Sequence, residues 1–97
     1  MQVFNRIATG ELAGSTTAIQ LPDIKCRMVW FKAQFDNSGN VYLGGSGVTK
    51  AGGDTDITTG YQLAKGESVG PLQVSNLNLF WRISDNAGDD LTYLAIG

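Results

Sequence analysis

The feature that most constrains this chain is a pattern written twice: FKAQFDNSGNVYL from Phe31 to Leu43, and FWRISDNAGDDLTYL from Phe80 to Leu94. Each copy is an apolar run, then Asp-Asn-small-Gly, then a second run closing on Tyr and Leu. In a type I turn Asp is favoured at the first position, where its carboxylate accepts backbone N–H groups, and Gly at the fourth. Asp36 to Gly39 and Asp85 to Gly88 both fit. The pattern predicts two β-hairpins with four- or five-residue loops and makes this an all-β chain.

The rest of the sequence keeps that rhythm. Short β-branched and aromatic runs recur every roughly 8–12 residues between Gly, Asn, Asp and Pro clusters, and helical spacing does not persist beyond about ten residues. The expected architecture is a small antiparallel β-sandwich or jelly-roll-like barrel of about seven to eight short strands, in a single domain over residues 1–97. Strands are predicted at Val3–Ala8, Thr17–Leu21, Cys26–Phe35, Val41–Gly44, Gly60–Leu63, Leu72–Val74, Leu79–Ser84 and Leu91–Ile96. In the last pair, alternation puts Leu79, Trp81 and Ile83 on the core face, opposite Phe80, Arg82 and Ser84. Leu91–Ile96 is apolar on both faces and is expected to be covered on two sides, by a second sheet, a loop or another subunit. The alternation of Ile24–Phe35 slips near Met28 to Trp30, which implies a β-bulge or burial on both faces in a central strand. Pro71 belongs on a sheet edge, since it cannot donate to a ladder. The stretch GGSGVTKAGGDTDITTG from Gly44 to Gly60 is too polar and glycine-rich to pack a core, and reads as a functional loop or a short edge hairpin.

Composition narrows the function. The charged fraction is 16% and the net charge −2, and a weakly charged surface is the easier kind to bury against another protein. The Lys and Arg residues are scattered along the sequence from Arg6 to Arg82, which argues against a nucleic-acid partner because phosphate backbones reward concentrated positive charge. Cys26 is the one cysteine; it excludes an internal disulfide and a thiolate metal cage, and reads as a buried structural thiol suited to a reducing compartment. No run approaches the roughly 20 apolar residues of a membrane helix, and Met1 leads into QVFNRIA without the features of a secretory signal. A soluble chain with no membrane partner is expected.

The absence of histidine removes every catalytic arrangement that uses imidazole as base. The carboxylate pairs Asp54/Asp56 and Asp89/Asp90 lie in Gly-rich turns, where Asp serves backbone geometry. Asp36, Ser38 and Asn40 place oxygens on alternate positions like a calcium loop, but Val41 stands where its glycine belongs and no bidentate glutamate follows. The segment Gly44 to Gly47 lacks the Gly-Lys-Ser/Thr ending of a phosphate-binding loop. No catalytic, cofactor-binding or metal residue is therefore assigned, and the chain is read as a non-enzyme. Trp30, Trp81, Tyr42, Tyr61 and Tyr93 would form a sugar-stacking platform if several shared one exposed face; strand aromatics otherwise serve packing.

Over YQLAKGESVGPLQVSNLNLFWRISDNAGDDLTYLAIG, from Tyr61 to Gly97, the chain resembles small structural proteins encoded in the head-gene modules of tailed bacteriophages. The resemblance rests on the turn and Gly-Glu-Ser step after Leu63, the Val-Ser-Asn-Leu that follows, the aromatic strand at Leu79 to Ile83 and the Asp-Asn-Ala-Gly-Asp loop. MVWFKAQFDNSGNVYLGGSGVT, from Met28 to Thr49, looks like the partner half. This resemblance implies a virion protein made in the host cytoplasm, of the decoration or cement type, which sits on the capsid exterior and bridges neighbouring copies of the major capsid protein. It further implies a homo-oligomer, commonly a trimer at local three-fold positions. Such a protein holds by contact area, for which roughly 1,200–2,000 Å² per interface suffices. The rival expectations are a carbohydrate-recognition module on a virion and a tail or head-completion protein.

Overall fold

The computed structural model describes residues 6–50 and 59–97. Eight strands form: β1 Ile7–Leu12, β2 Ile19–Gln20, β3 Met28–Ala33, β4 Val41–Gly44, β5 Tyr61–Leu63, β6 Ser68–Gln73, β7 Trp81–Ser84 and β8 Leu91–Ile96. They pair antiparallel into two four-stranded sheets, ordered β1-β8-β3-β6 and β2-β7-β4-β5. Among consecutive described strands only β4 and β5 share a sheet; every other connection crosses from one layer to the other. Eight antiparallel strands wound in this order are a jelly roll.

The strand positions follow from local chemistry. MVWFKA and LTYLAI are rich in residues that suit a pleated, half-buried surface, and Asp90 and Gly97 bound the second of them. Met28–Ala33 keeps strict alternation, with Val29, Phe31 and Ala33 fully buried. These meet Val41, Leu43, Leu63, Leu91 and Ala95 in a core between the sheets. Phe80 closes it with its ring edge-on to Phe31, centroids 5.1 Å apart, an arrangement favoured by the ring quadrupoles. Cys26 is buried as expected; its thiol donates to the Val74 carbonyl at 3.3 Å, and burial pushes its pKa up.

Several expectations change. Neither Asp-Asn-small-Gly loop closes a hairpin: the first joins β3 to β4 and the second β7 to β8, in each case across the two layers. The same turn chemistry that reverses a strand within a sheet also serves an arch between sheets, because it specifies the reversal and not the hydrogen-bond partner. The face of β7 is also inverted. Leu79 lies in a 3-10 turn, Leu77–Leu79, and is 59% exposed, whereas Arg82 and Ser84 are buried beside the main core. Trp81 and Ile83 instead pack on the outer face of the second sheet with Tyr42, Ala18 and Val48. The expectation that the Gly44–Gly60 segment has no core to serve therefore fails at Val48, which is buried in this second cluster.

The slip expected near Met28–Trp30 is absent from β3, whose alternation and register against β8 are continuous; the irregularity lies in its other partner strand, β6. Between Val29↔Leu72 and Phe31↔Val69, β6 carries one extra residue at Gly70-Pro71, whose peptide bond is cis. Pro71 accordingly sits on an edge strand, as expected, but β6 starts four residues before the predicted strand at Leu72–Val74. β1 runs on to Leu12, four residues past the expected end at Ala8; residues 3–5 of the Val3–Ala8 expectation lie outside the described residues.

Candidate interaction surfaces

The duplicated loops come together at one end of the sandwich. Oδ1 of Asp89 accepts the backbone N–H groups of Ser38 and Gly39, each at 3.0 Å, and Oδ2 accepts the backbone N–H and side-chain amide of Asn86 at 2.9 and 3.0 Å. Asp85 accepts the Asn40 N–H and the Tyr42 hydroxyl. Asn37 and Asp90 exchange two bonds, and Asp90 also accepts the Gly14 N–H. Burial pushes the Asp89 carboxyl up, but the bonds from Gly39, Asn86 and Ser38 outweigh it and hold its pKa below the usual carboxylate range. A Cβ on Gly14 would stand 2.5 Å from the Asp89 carbonyl oxygen, so only glycine lets the chain after β1 lie against this loop. These carboxylates are consumed in holding backbone; they are structural, as their turn context indicates.

The other motifs resolve in the same way. Asp36 is exposed, Ser38 and Asn40 turn toward the second loop, and no group of three or more His, Cys, Asp or Glu able to hold a metal occurs among the described residues. Asp54 and Asp56 lie outside the described residues. The five aromatics do not share a face. Tyr42 is buried and Trp81 half-buried on the outer side of the second sheet, Tyr93 packs on the core over Gly10, Trp30 is half-buried on the outer side of the first sheet, and Tyr61 is 61% exposed at an edge. The scattered cations partly converge: Arg6, Lys25 and Arg27 line a hollow of about 170 Å³ with Cys26 and Gly97.

What the sequence does not reveal is an apolar cleft of about 400 Å³ where the edge strands β5 and β6 leave the sandwich open. Leu43, Tyr61, Val69, Leu72, Leu79 and Phe80 line it, with Gly44 and Gly45 at one end. No lining residue carries a charge. The exposed side chains of Leu79 and Tyr61 flank the opening, so the cleft presents an apolar lining whose one side-chain polar group is the Tyr61 hydroxyl. Its signal in the sequence was Leu79, an apolar residue just outside β7. A second, shallower groove of about 320 Å³ crosses the outer face of the first sheet, where Trp30 and Leu94 stand beside Lys32, Ser68 and Thr92. Comparison with protein-family models, with curated proteins and with solved structures found no match.

Proposed function

We propose that this chain is a virion structural protein of the decoration type, which adheres to the outer shell and stabilises contacts between major capsid subunits. The observation that carries the reading is the uncharged cleft at the β5/β6 edge, flanked by exposed Leu79 and Tyr61. An apolar side chain of a shell subunit seated there loses contact with water, at about 25 cal/mol for each Å² buried, and a cleft without charges asks no ion to be desolvated. The resemblance of the Met28–Thr49 and Tyr61–Gly97 segments to phage head-module proteins supports the same reading, as does the fold by analogy, since jelly rolls serve in viral capsids. Internal pressure is then opposed by binding energy alone.

The test has two arms. Mass spectrometry of purified particles that encode this chain is expected to give a copy number commensurate with the major shell subunit; a few copies per particle would instead mean a tail or head-completion role. Leu79→Asp, at an exposed position, is expected to keep the fold and lose binding to undecorated shells. Undiminished binding removes the cleft from the account.

The groove beside Trp30 favours a second reading, glycan binding. It joins an indole to the hydroxyls of Ser68 and Thr92, and jelly rolls also occur in lectins. Sugar-dependent Trp fluorescence that Trp30→Phe abolishes would support it, and an unchanged spectrum across a glycan panel would end it.

A further inference from the structure

Four strands end the two sheets, and three are poor templates for another strand. β2 has two residues, β5 has three, and β6 is interrupted by the Gly70-Pro71 bulge. Short edges, prolines and bulges are the devices by which edge strands avoid pairing with other chains. β1 has none of them: it runs six residues in unbroken register against β8, from Ile7↔Ile96 to Leu12↔Leu91, and contains no proline.

The hydrogen-bond phase of β1 identifies which groups it presents. Arg6 and Gly97 exchange both backbone bonds, at 2.7 and 2.9 Å. In an antiparallel ladder such pairs alternate, so Ala8, Gly10 and Leu12 turn their backbone groups toward β8. Ile7, Thr9 and Glu11 turn theirs to the outer edge, where no strand pairs among the described residues. The side chains of these same three residues are exposed, Ile7 at 74%.

We propose that β1 pairs with β1 of a second copy of this chain about a two-fold axis through Thr9, joining two four-stranded sheets into one of eight. The register follows from two requirements. Outward backbone groups must meet outward groups, and residues directly opposite must point to the same face of the sheet. Thr9 opposite Thr9 of the partner subunit, and Ile7 opposite Glu11 of the partner subunit, satisfy both, and each such pair exchanges two N–H···O bonds. The register also keeps the two Glu11 carboxylates from facing each other. On the outer face the cross-strand row Trp30, Leu94, Thr9, with Leu94 40% exposed, continues directly into the partner's row. A two-fold contact of this kind uses the same patch on both copies and closes at two, where the phage resemblance implies three. The pairing concerns the free chain and does not depend on the virion reading.

Size-exclusion chromatography with light scattering on the full chain is expected to give twice the 10.3 kDa monomer mass. Thr9→Pro removes an N–H that points away from β8, and is expected to return the monomer mass with an unchanged far-ultraviolet circular dichroism spectrum. A monomeric or trimeric parent protein, or a folded Thr9→Pro variant that stays dimeric, overturns the proposal. Should Thr9→Pro fail to fold, cysteine cross-linking in a Cys26→Ser background decides. The register sets Thr9 about 5.5 Å from its counterpart between Cα atoms, within disulfide reach, and Glu11 far from its own. Thr9→Cys is therefore expected to oxidise to a covalent dimer and Glu11→Cys to form no cross-link; equal yields of cross-linked dimer from both overturn the pairing.

Discussion

Asp89 accepts the Gly39 backbone N–H at 3.0 Å and thereby clamps the second Asp-Asn-small-Gly loop onto the first. The two copies of the sequence pattern are thus partners in space as well as in form, and one carboxylate ties the arch between β3 and β4 to the arch between β7 and β8.

Replacing that carboxylate tests the clamp. Asp89→Ala leaves the N–H groups of Ser38, Gly39 and Asn86 without their acceptor, and unmade buried hydrogen bonds cost about 1–3 kcal/mol each when water cannot substitute. Water reaches part of this loop, so the expected loss is about 3 kcal/mol, read as a lower urea midpoint at constant slope. A loss under about 0.5 kcal/mol, typical of surface changes, contradicts the clamp.

The same residue sets an acid limb. Because the Asp89 pKa is lowered on folding, its ionised form is bound more tightly in the native state, and its contribution to stability is complete above the unfolded carboxyl value of about 3.9. It is lost as pH falls through the lower folded value. Urea midpoints from neutral pH down to about pH 2 are expected to fall more steeply for the parent protein than for Asp89→Asn in the acid range. Parallel curves would show that the carboxylate does not titrate as described.

Arg82 makes the opposite case. Its Nη2 donates to the Ala13 carbonyl at 3.0 Å, its Nε has no partner among the described residues, and burial lowers its pKa. A buried cation whose hydrogen-bond partner is a neutral carbonyl is costly, and apolar replacements of buried charge are often neutral or stabilising by about 1–4 kcal/mol. Arg82→Met is expected to hold or raise the melting temperature. A drop of several degrees would mean that the Ala13 bond outweighs the desolvation.

Val48 anchors its loop to the second cluster. Val48→Ala removes two buried methyl groups, at about 0.8 kcal/mol each plus a cavity cost, for an expected loss of about 2 kcal/mol by urea titration. Trp81 emission should shift to the red, since its outer-face packing loosens; an unmoved spectrum would separate Val48 from that cluster.

What could be read from the amino acids alone is what neighbours in sequence decide. Period-two alternation and Asp/Gly turn chemistry act over a few residues, so Val41–Gly44 and Leu91–Ile96 are recognisable to the residue, as is the structural role of Asp89 and the burial of Cys26. Pairing is different. Whether β3 folds back on β4 or crosses to the opposite sheet depends on which surfaces bury each other over the whole chain, and the turn between them has the same composition either way. The face of β7 was equally hidden, because Val48, far from it in sequence, covers Trp81 and Ile83 from outside and lets Arg82 turn inward. The apolar cleft and the open β1 edge exist only once two sheets have been laid together: a cleft is the gap between residues from separate strands, and an edge is a strand with no further neighbour.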